Sequence, residues 1–463
     1  MDHSNCGCSR RQMIRSLVGG SLLLPGILNH LLAADASAQT SDNPLAPKQS
    51  HFPAKAKRVI FLYMSGGVSH VDSFDPKPKL IADHGKTVKV AKGDKYLTRP
   101  HWEFKPRGKS GTEVSELFPH IAECVDDICV IRSMKNDHGD HFEATLGIHT
   151  GSVTFNRPSL GSWVSYGLGT VNQNLPAFVV LAPELPYAGS QVWGSDFLPA
   201  FHQGTRIVPG PEPIPNMTRR TASPELQEME LGLLDFFNRK HIEKREVDPL
   251  LAARIKSFET AYGMQREAPE AFDLSKETDA TLKLYGLERG STKGFAWQCL
   301  VARRLAERGV RFIELIDSGA SKNWDAHGDI QTHLPLAQNV DQPIAGLLKD
   351  LKSRGMLEDT LVVWTTEFGR TPFNDKSTAK GREHHAKVYS SWLAGGGVKG
   401  GITYGSSDDY GIDVADNLVH LHDFHATILH LLGMDHTRLT FRHAGRDFRL
   451  TDVHGNVVKA ILA

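Results

Sequence analysis

The chain has 463 residues, enough for one large domain or two of medium size with an extensive hydrophobic core. Its 53 lysines and arginines balance its 53 aspartates and glutamates, so the formal net charge at pH 7 is zero. There is no basic block and no run of basic residues interleaved with aromatic ones, which argues against a nucleic-acid partner. Histidine is abundant, with 23 residues, and supplies many potential metal ligands.

The first 38 residues have the features of an export signal. Ser9-Arg10-Arg11-Gln12-Met13-Ile14-Arg15 resembles the twin-arginine motif, and an apolar run from Leu17 to Leu32 follows it. Small residues at 36–38 provide a cleavage site. Glycine and proline interrupt the apolar run, so it is too short for a stable membrane span. We therefore predict a twin-arginine signal peptide over 1–38 and a periplasmic or extracellular protein. An uncleaved leader that acts as an anchor is the alternative.

Residues 39–57 are polar and contain proline, which is typical of a linker. One large domain is predicted over 58–463, where short apolar runs alternate with helical patterns. The runs predicted as buried strands are 59–64, 128–131, 178–181, 310–316 and 361–366, and the clearest helices are 295–308 and 343–352. This alternation predicts an α/β fold in which a mostly parallel, doubly wound sheet lies between helices. Residues 77–112 are predicted as an irregular surface segment, and about 205–290 as a helical insertion.

Ligands of open α/β sheets bind at the carboxyl ends of the strands, and a candidate metal-ligating pair follows strand 310–316. Asp325 and His327 compete for this role with Asp329 and His333. We favour the first pair because its surroundings have the composition of a loop, whereas the second pair falls toward a helix start. The structural alternative is that Asp325 caps the coming helix and His327 bonds to the backbone.

Two further groups follow strand 361–366. Glu367 comes directly after the strand, and Arg370 could hold an anionic group through two hydrogen bonds or pair with Glu367. The rings of His384 and His385 point apart if the segment is extended, so only one of them is expected to bind metal. We slightly prefer His385 as the metal ligand. His384 would then support the ligands from behind or face the substrate. Carboxylate and imidazole groups from separate loops would suit a hard or borderline divalent cation.

The order of these parts resembles the alkaline phosphatase and sulfatase superfamily. As a set, the motifs resemble one bacterial sulfatase-like family, domain of unknown function 1501. These motifs are Met64-Ser65-Gly66-Gly67, His70-Val71-Asp72, Trp324-Asp325-Ala326-His327, Thr366-Glu367-Phe368-Gly369-Arg370-Thr371-Pro372, Gly381-Arg382-Glu383-His384-His385 and Gly445-Arg446-Asp447-Phe448. The resemblance extends over nearly all of the chain after the leader. It implies an alkaline phosphatase-like fold, and it supports the fold more strongly than any particular activity.

The chain departs from the superfamily at the position of the nucleophile. Sulfatases carry Cys or Ser ten residues before the glycine of a Thr-Gly pair, and here that residue is His141, ahead of Gly151. His141 could accept a phosphoryl group itself. Alternatively, His138 and His141 at a helix start bind metal, and a water activated by the metal attacks. A site that has lost its chemistry and a solvated histidine-rich turn remain as further interpretations.

Two more departures concern the carboxylates. The superfamily has Asp just after the first strand, where this chain offers Asp72 on a longer loop, and it has Asp-His where this chain has Glu367 and Phe368. Glu367 would then be a ligand of a second metal or a general base. The resemblance implies a hydrolase of phosphate or sulfate esters that uses Zn, Ca, Mg or Mn. Its substrates would be small anionic esters or sulfated or phosphorylated glycans. The competing hypothesis is a catalytically degenerate module that binds glycan or protein.

Overall fold

The computed structural model describes residues 43–91, 93–215, 223–243 and 249–463, so the predicted signal peptide lies outside the described residues. The chain divides into two compact units, Met1–Ala46 and Pro47–Ala463. In the first unit, the described residues 43–46 contain a turn in which the Leu45 N–H donates to Asn43 Oδ1 over 3.1 Å. Among the helices that the structure describes, none has the length and apolar character needed to cross a membrane.

The second unit holds all the helices and strands described here. The strands are β1 (Arg58–Tyr63), β2 (Thr87–Val90), β3 (Gly93–Leu97), β4 (Phe104–Arg107), β5 (Thr112–Ser115), β6 (Ile128–Lys135), β7 (Phe178–Leu181), β8 (Thr205–Ile207), β9 (Phe312–Ile316), β10 (Thr360–Thr365), β11 (Gly369–Arg370), β12 (Phe373–Asn374), β13 (His384–His385), β14 (Tyr389–Ala394), β15 (Ile402–Tyr404), β16 (Ser406–Ser407), β17 (Val414–Asp416), β18 (Val419–His420), β19 (Phe441–His443) and β20 (Arg446–Phe448). The helices are α1 (His70–Ser73), α2 (Pro78–Ala82), α3 (His141–Thr150), α4 (Leu160–Leu168), α5 (Pro224–Glu243), α6 (Pro249–Phe272), α7 (Asp279–Tyr285), α8 (Phe295–Glu307), α9 (His333–Ser353) and α10 (Leu421–Leu431).

A nine-stranded sheet forms the centre of this unit. Its order is β15-β6-β14-β10-β1-β9-β7-β8, and β18 also pairs with β6. The neighbours from β10 to β8 are all parallel, whereas β14 runs antiparallel to both β10 and β6. The predicted α/β class with a mostly parallel sheet is therefore confirmed. Strands β10, β1 and β9 are adjacent at the middle of the sheet. They are mostly apolar and almost fully buried because both faces of the sheet are covered.

Alternating side chains of the central strands enter two separate cores. Ile60 and Leu62 of β1 pack in one core with residues of α8 and α9, whereas Phe61 and Tyr63 pack in the other with residues of α4 and α10. Helices on both faces make the sheet doubly wound, as predicted. The ends of the central strands are therefore packed between two cores, and the candidate site lies at these ends.

The elements differ from the sequence predictions in three places. Helix α9 begins at His333 and contains Pro343, so the proline that suggested a helix start lies in the interior. Residues 77–112 contain α2 and three short strands, β2, β3 and β4, of which β2 and β3 form a hairpin. Within the predicted insertion, α5, α6 and α7 are helical, while β8 pairs with β7 in the central sheet. The proposed domain boundaries themselves remain predictions.

Candidate metal centre

Three adjacent strands of the central sheet lead into the site. β1, β9 and β10 are in register at Tyr63, Ile316 and Thr365, where all three end at the same edge of the sheet. The loops that follow carry the Ser65-Gly66-Gly67 turn, the segment with Asp325 and His327, and Glu367. Groups far apart in sequence therefore meet at the carboxyl edge of the strands, the place expected for an α/β sheet.

Gly66 allows two of these loops to approach each other closely. Its φ is 113°, and a Cβ at this position would lie 2.7 Å from the backbone nitrogens of Trp324 and Asp325. Its N–H donates to Glu367 Oε1 over 2.8 Å. On the other side, the buried Trp324 donates from Nε1 to Asp317 Oδ2 over 2.5 Å and fixes the loop that carries Asp325. A residue with a side chain at 66 would push Asp325 out of place.

The carboxylate of Asp325 is the meeting point of the site. Four side chains point a nitrogen at Asp325 Oδ1: His327 Nε2 at 2.9 Å, Arg370 Nη2 at 2.7 Å, His141 Nε2 at 3.4 Å and His384 Nε2 at 3.4 Å. His327 Nε2 and His384 Nε2 are themselves 2.9 Å apart. Ligand atoms of His141, Asp325 and His384 lie within 4.8 Å of one another, and His327 Nε2 adjoins this group through Asp325 and His384.

In each of the three histidines, the other ring nitrogen, Nδ1, contacts an oxygen acceptor. The pairs are His141 Nδ1 with Glu367 Oε1 at 2.7 Å, His384 Nδ1 with the Gly139 carbonyl at 2.8 Å, and His327 Nδ1 with Glu383 Oε2 at 2.8 Å. An oxygen acceptor at Nδ1 favours the tautomer with its proton there, which leaves the Nε2 lone pair free. Metal-ligating histidines are oriented in this manner by carboxylates and carbonyls.

The Nε2 of His141 fits a metal better than it fits any protein group near it. His141 is 9% exposed, and its Nε2 is a buried nitrogen without a hydrogen-bond partner among the described residues. The ring lies parallel to Tyr187, with centroids 4.1 Å apart and planes at 6°, and Phe368 contacts it at 4.9 Å. A buried polar atom that lacks a partner needs an explanation, and a bound cation supplies one.

The electrostatics of the site favour a positive charge at its centre. Burial works to raise the pKa of Asp325, but the neighbouring imidazoles of His141 and His384 and the charge of Arg370 hold that pKa far below its usual value. Burial likewise works to lower the pKa of His141, but the nearby carboxylates of Asp325 and Glu367 raise that pKa overall. A divalent cation bound at His141 Nε2 would compete with a proton for that nitrogen.

Glu367 lies behind His141 rather than at the centre. It is fully buried, and its two oxygens accept from four donors: Tyr63 OH at 2.9 Å, Thr366 Oγ1 at 3.1 Å, the Gly66 N–H at 2.8 Å and His141 Nδ1 at 2.7 Å. Burial raises its pKa, but the hydrogen bond and charge of His141 bring that pKa below the ordinary value. This geometry differs from the predicted roles as ligand or general base, because all the acceptor positions of the carboxylate are used.

Arg370 orients the loops rather than reaching toward solvent. Its guanidinium is fully buried and donates to the carbonyls of Gly66, Gly67 and Arg382 as well as to Asp325. Arg370 was predicted to bind an anionic group, but its guanidinium already donates to protein oxygens, so this arrangement does not support that role.

Three other predicted ligands lie away from the cluster. His385 directs Nε2 at the Ile412 carbonyl over 2.7 Å and stacks on His70. Asp72 is buried in an ion pair with Arg382 at 2.7 Å. His138 precedes α3 and accepts the Asp140 N–H over 3.2 Å, so the helical spacing assumed between His138 and His141 does not exist. The structure brings together His141, Asp325, His327 and His384 from the predicted set.

Sequence reasoning missed the residues that hold the histidines. Glu383 stands next to His384 in the sequence, and its acidic character was an available signal. Tyr63 ends β1 and donates to Glu367, and Tyr187 follows β7 and covers His141. No local sequence pattern indicates a role for either tyrosine, because each contacts a residue far away in the sequence. Tyr63 and Glu367, for example, are 304 positions apart.

The chain belongs to the family described as "Protein of unknown function (DUF1501)", whose model matches residues 56–462. This confirms the family predicted from the motifs. No curated protein matches the chain.

Several solved structures resemble the chain at low sequence identity. The lipoteichoic acid synthase LtaP from Listeria monocytogenes is 8% identical, with 88% of this chain and 78% of that chain covered and a TM-score of 0.37. The alkaline phosphatase from the Antarctic bacterium TAB5 is 12% identical, with 82% and 98% covered and a TM-score of 0.34. The PsFucS1 sulfatase from Pseudoalteromonas sp. is 13% identical, with 82% and 68% covered and a TM-score of 0.33.

Proposed function

We propose that this chain is a metal-dependent hydrolase of phosphate or sulfate esters. One divalent cation would be held by His141, Asp325, His327 and His384. The observation that carries the proposal is the convergence of three Nε2 atoms on Asp325 Oδ1, with every opposite Nδ1 held by an acceptor. Such an arrangement of ligands and supporting groups is what a transition-metal site requires.

The ligand set narrows the choice of metal. Magnesium, calcium and manganese prefer oxygen ligands, whereas zinc, copper, iron and nickel accept several imidazoles. Three nitrogens and one oxygen therefore favour Zn over Mg, Ca or Mn. When bound, the cation would neutralise charge on an anionic ester and lower the pKa of a water molecule.

The protein groups keep the donors fixed and leave one side of the cluster open. Arg370 and Glu367 are fully buried and hold Asp325 and His141 from behind. On the opposite side, the side chain of His327 is 41% exposed and that of Glu383 is 59% exposed. An anionic substrate would approach from this side. The Tyr187 hydroxyl accepts from Asn323 Nδ2 over 3.2 Å, so its own proton is available to an anionic group beside His141.

Export and the substrate class are part of the proposal. The twin-arginine-like leader supports a role outside the cytoplasm, where sulfated or phosphorylated glycans and small anionic esters are available. The second candidate function is a catalytically degenerate module that binds glycan or protein. The presence of His141 where sulfatases have a Cys or Ser nucleophile favours this candidate.

Hydrolysis assays with a matched pair of variants test the proposal. Protein loaded with Zn or Mn is assayed on 4-nitrophenyl phosphate and 4-nitrophenyl sulfate as wild type, Asp325→Asn and Asp329→Asn. Asp329 lies in the same loop but only caps a short helix, with Oδ1 accepting the Gln331 N–H over 2.9 Å. We expect Asp325→Asn to lose at least about 100-fold in rate, because a lost metal ligand should cost more than the groups behind the ligands, whose loss costs about 10- to 100-fold. Asp329→Asn should keep its rate. A wild type that binds metal but hydrolyses neither ester would favour the binding module.

A further inference from the structure

Helix α5 presents an apolar face that the described structure leaves uncovered. Its half-buried residues form one stripe that faces α6, and this stripe is largely polar: Gln227, Leu231, Asp235 and Asn238. Gln227 Nε2 donates to Gln265 Oε1 on α6 over 2.9 Å. Five large apolar residues lie elsewhere on the helix and are exposed: Leu226 at 43%, Met229 at 73%, Leu233 at 59%, Phe236 at 50% and Phe237 at 58%.

The spacing of these residues is that of a helix-packing seam. Leu226, Met229, Leu233 and Phe236 are separated by three, four and three positions, the a and d pattern of a heptad repeat. At 100° per residue this stripe lies opposite the one that faces α6. Knobs at such positions fit the holes on another helix, so the spacing indicates a helical partner rather than a flat surface.

We propose that α5 is the dimer interface of this protein and that its partner is α5 of a second copy, packed antiparallel about Leu233. The charges of the helix favour this partner. Glu228 and Glu230 are exposed near one end, and Lys240 and His241 are exposed near the other. Antiparallel packing brings each acidic end beside the basic end of the other copy, whereas parallel packing would bring like charges together.

The helix itself has the size that such an interface needs. α5 has 20 residues and is about 30 Å long. Lys240 Nζ lies 4.5 Å from the centre of the Phe236 ring, so the aliphatic stem of the lysine extends the apolar stripe. An isologous pairing of this kind buries the exposed apolar residues of both copies in one seam. The inference is independent of the metal centre and of the proposed hydrolase activity.

Light scattering during size-exclusion chromatography of the full chain tests the proposal with adjacent leucines. We expect twice the chain mass of 51.1 kDa for wild type. Leu233→Glu should give the mass of one chain, because it places a charge at the centre of the seam. Leu234→Glu is the matched control: Leu234 is 57% exposed but lines the groove between α5 and α6, so this variant should remain a dimer.

Disulfide trapping tests the orientation. In a background where Cys6 and Cys8 are replaced by serine, the remaining thiols Cys124, Cys129 and Cys299 are buried. Antiparallel packing predicts that Leu233→Cys forms a disulfide-linked dimer on mild oxidation and that Leu226→Cys does not. Cross-linking of both would overturn the antiparallel arrangement. A wild type that is monomeric at 100 μM would overturn the dimer, and binding of that monomer to phospholipid vesicles would assign the face to a lipid surface instead.

Discussion

Glu367 Oε1 lies 2.7 Å from His141 Nδ1, and the carboxylate is completely buried behind the imidazole ring. The pair links a strand end of the central sheet to the first residue of helix α3. It determines which nitrogen of His141 carries a proton and which one faces Asp325. A buried carboxylate in this position would strengthen the ring as a ligand of the proposed metal without touching that metal.

Replacing Glu367 with glutamine should weaken metal binding more than folding. The amide oxygen can still accept from His141 Nδ1 and the Gly66 N–H, but the negative charge behind the ring is lost. We expect the metal affinity to fall about 10- to 100-fold, measured by competition with a chelator of known affinity. Glu143→Gln is the control, because Glu143 lies two residues from His141 and contacts His138 instead. Equal affinity in Glu367→Gln and wild type would contradict the positioning role.

Gly66→Ala should destabilise the protein for two reasons: the added methyl group would collide with a neighbouring loop, and the backbone conformation would be strained. Gly66 and Gly93 both have positive φ, 113° and 100°, but a Cβ meets two backbone nitrogens at 2.7 Å only at Gly66, and at Gly93 nothing lies within 4 Å. A left-handed backbone costs a non-glycine residue about 1–2 kcal/mol at either site. We expect Gly66→Ala to lose at least about 2 kcal/mol more unfolding free energy than Gly93→Ala, because overpacking adds to the strain. Urea unfolding of both variants measures the difference, and equal losses would contradict the close packing of the two loops.

The stability of the protein should fall in acid partly because of His202. Burial, and to a lesser degree the charge of Lys48, lowers the pKa of His202 to about 3, compared with about 6.5 in an unfolded chain. Between these values the unfolded chain binds a proton that the folded chain does not, so stability is lost as the pH falls below 6.5. Over pH 6 to 4 this amounts to on the order of 2–3 kcal/mol.

His202→Asn isolates this contribution. The asparagine oxygen can keep the contact that His202 Nδ1 makes with Ser165 Oγ at 2.8 Å, but it does not titrate. We expect the unfolding free energy of the variant to fall less between pH 6 and 4 than that of wild type, by on the order of 2 kcal/mol. His454→Asn, at an exposed position, should follow the wild type. Identical pH dependence in wild type and His202→Asn would show that this histidine does not titrate as proposed.

The fold was largely predictable because its central strands are mostly apolar runs. β1, β9 and β10 are buried on both faces, so their composition alone marks them, and the helix between 295 and 308 carries a clear period. The start of α9 was not predictable, because proline is typical of the first turn of a helix, whereas Pro343 lies in the interior of α9. β14 runs antiparallel in a parallel sheet, and no pattern within its six residues indicates a direction.

Site residues could be predicted from the sequence only where the composition of a single loop distinguishes between the candidates. Asp325 was preferred to Asp329 from local composition, and the structure places Asp325 in the cluster. The choice between His384 and His385 depends on how the two-residue strand β13 pairs with β11, which places Arg370 opposite His384 and Gly369 opposite His385. That register is set by contacts across the fold. Likewise, His141 reaches Asp325 only because α3 begins at His141 and not at His138.

The metal content of two adjacent histidine variants is the most direct test of the metal centre. His384 and His385 are consecutive, yet only His384 directs a nitrogen toward Asp325, while His385 bonds to the Ile412 carbonyl. Wild type, His384→Gln and His385→Gln are purified identically and analysed for Zn and Mn by mass spectrometry of the elements. We predict about one metal ion per chain in wild type and His385→Gln and a strong loss in His384→Gln. Metal retained in His384→Gln, or lost in His385→Gln alone, would contradict the proposed centre.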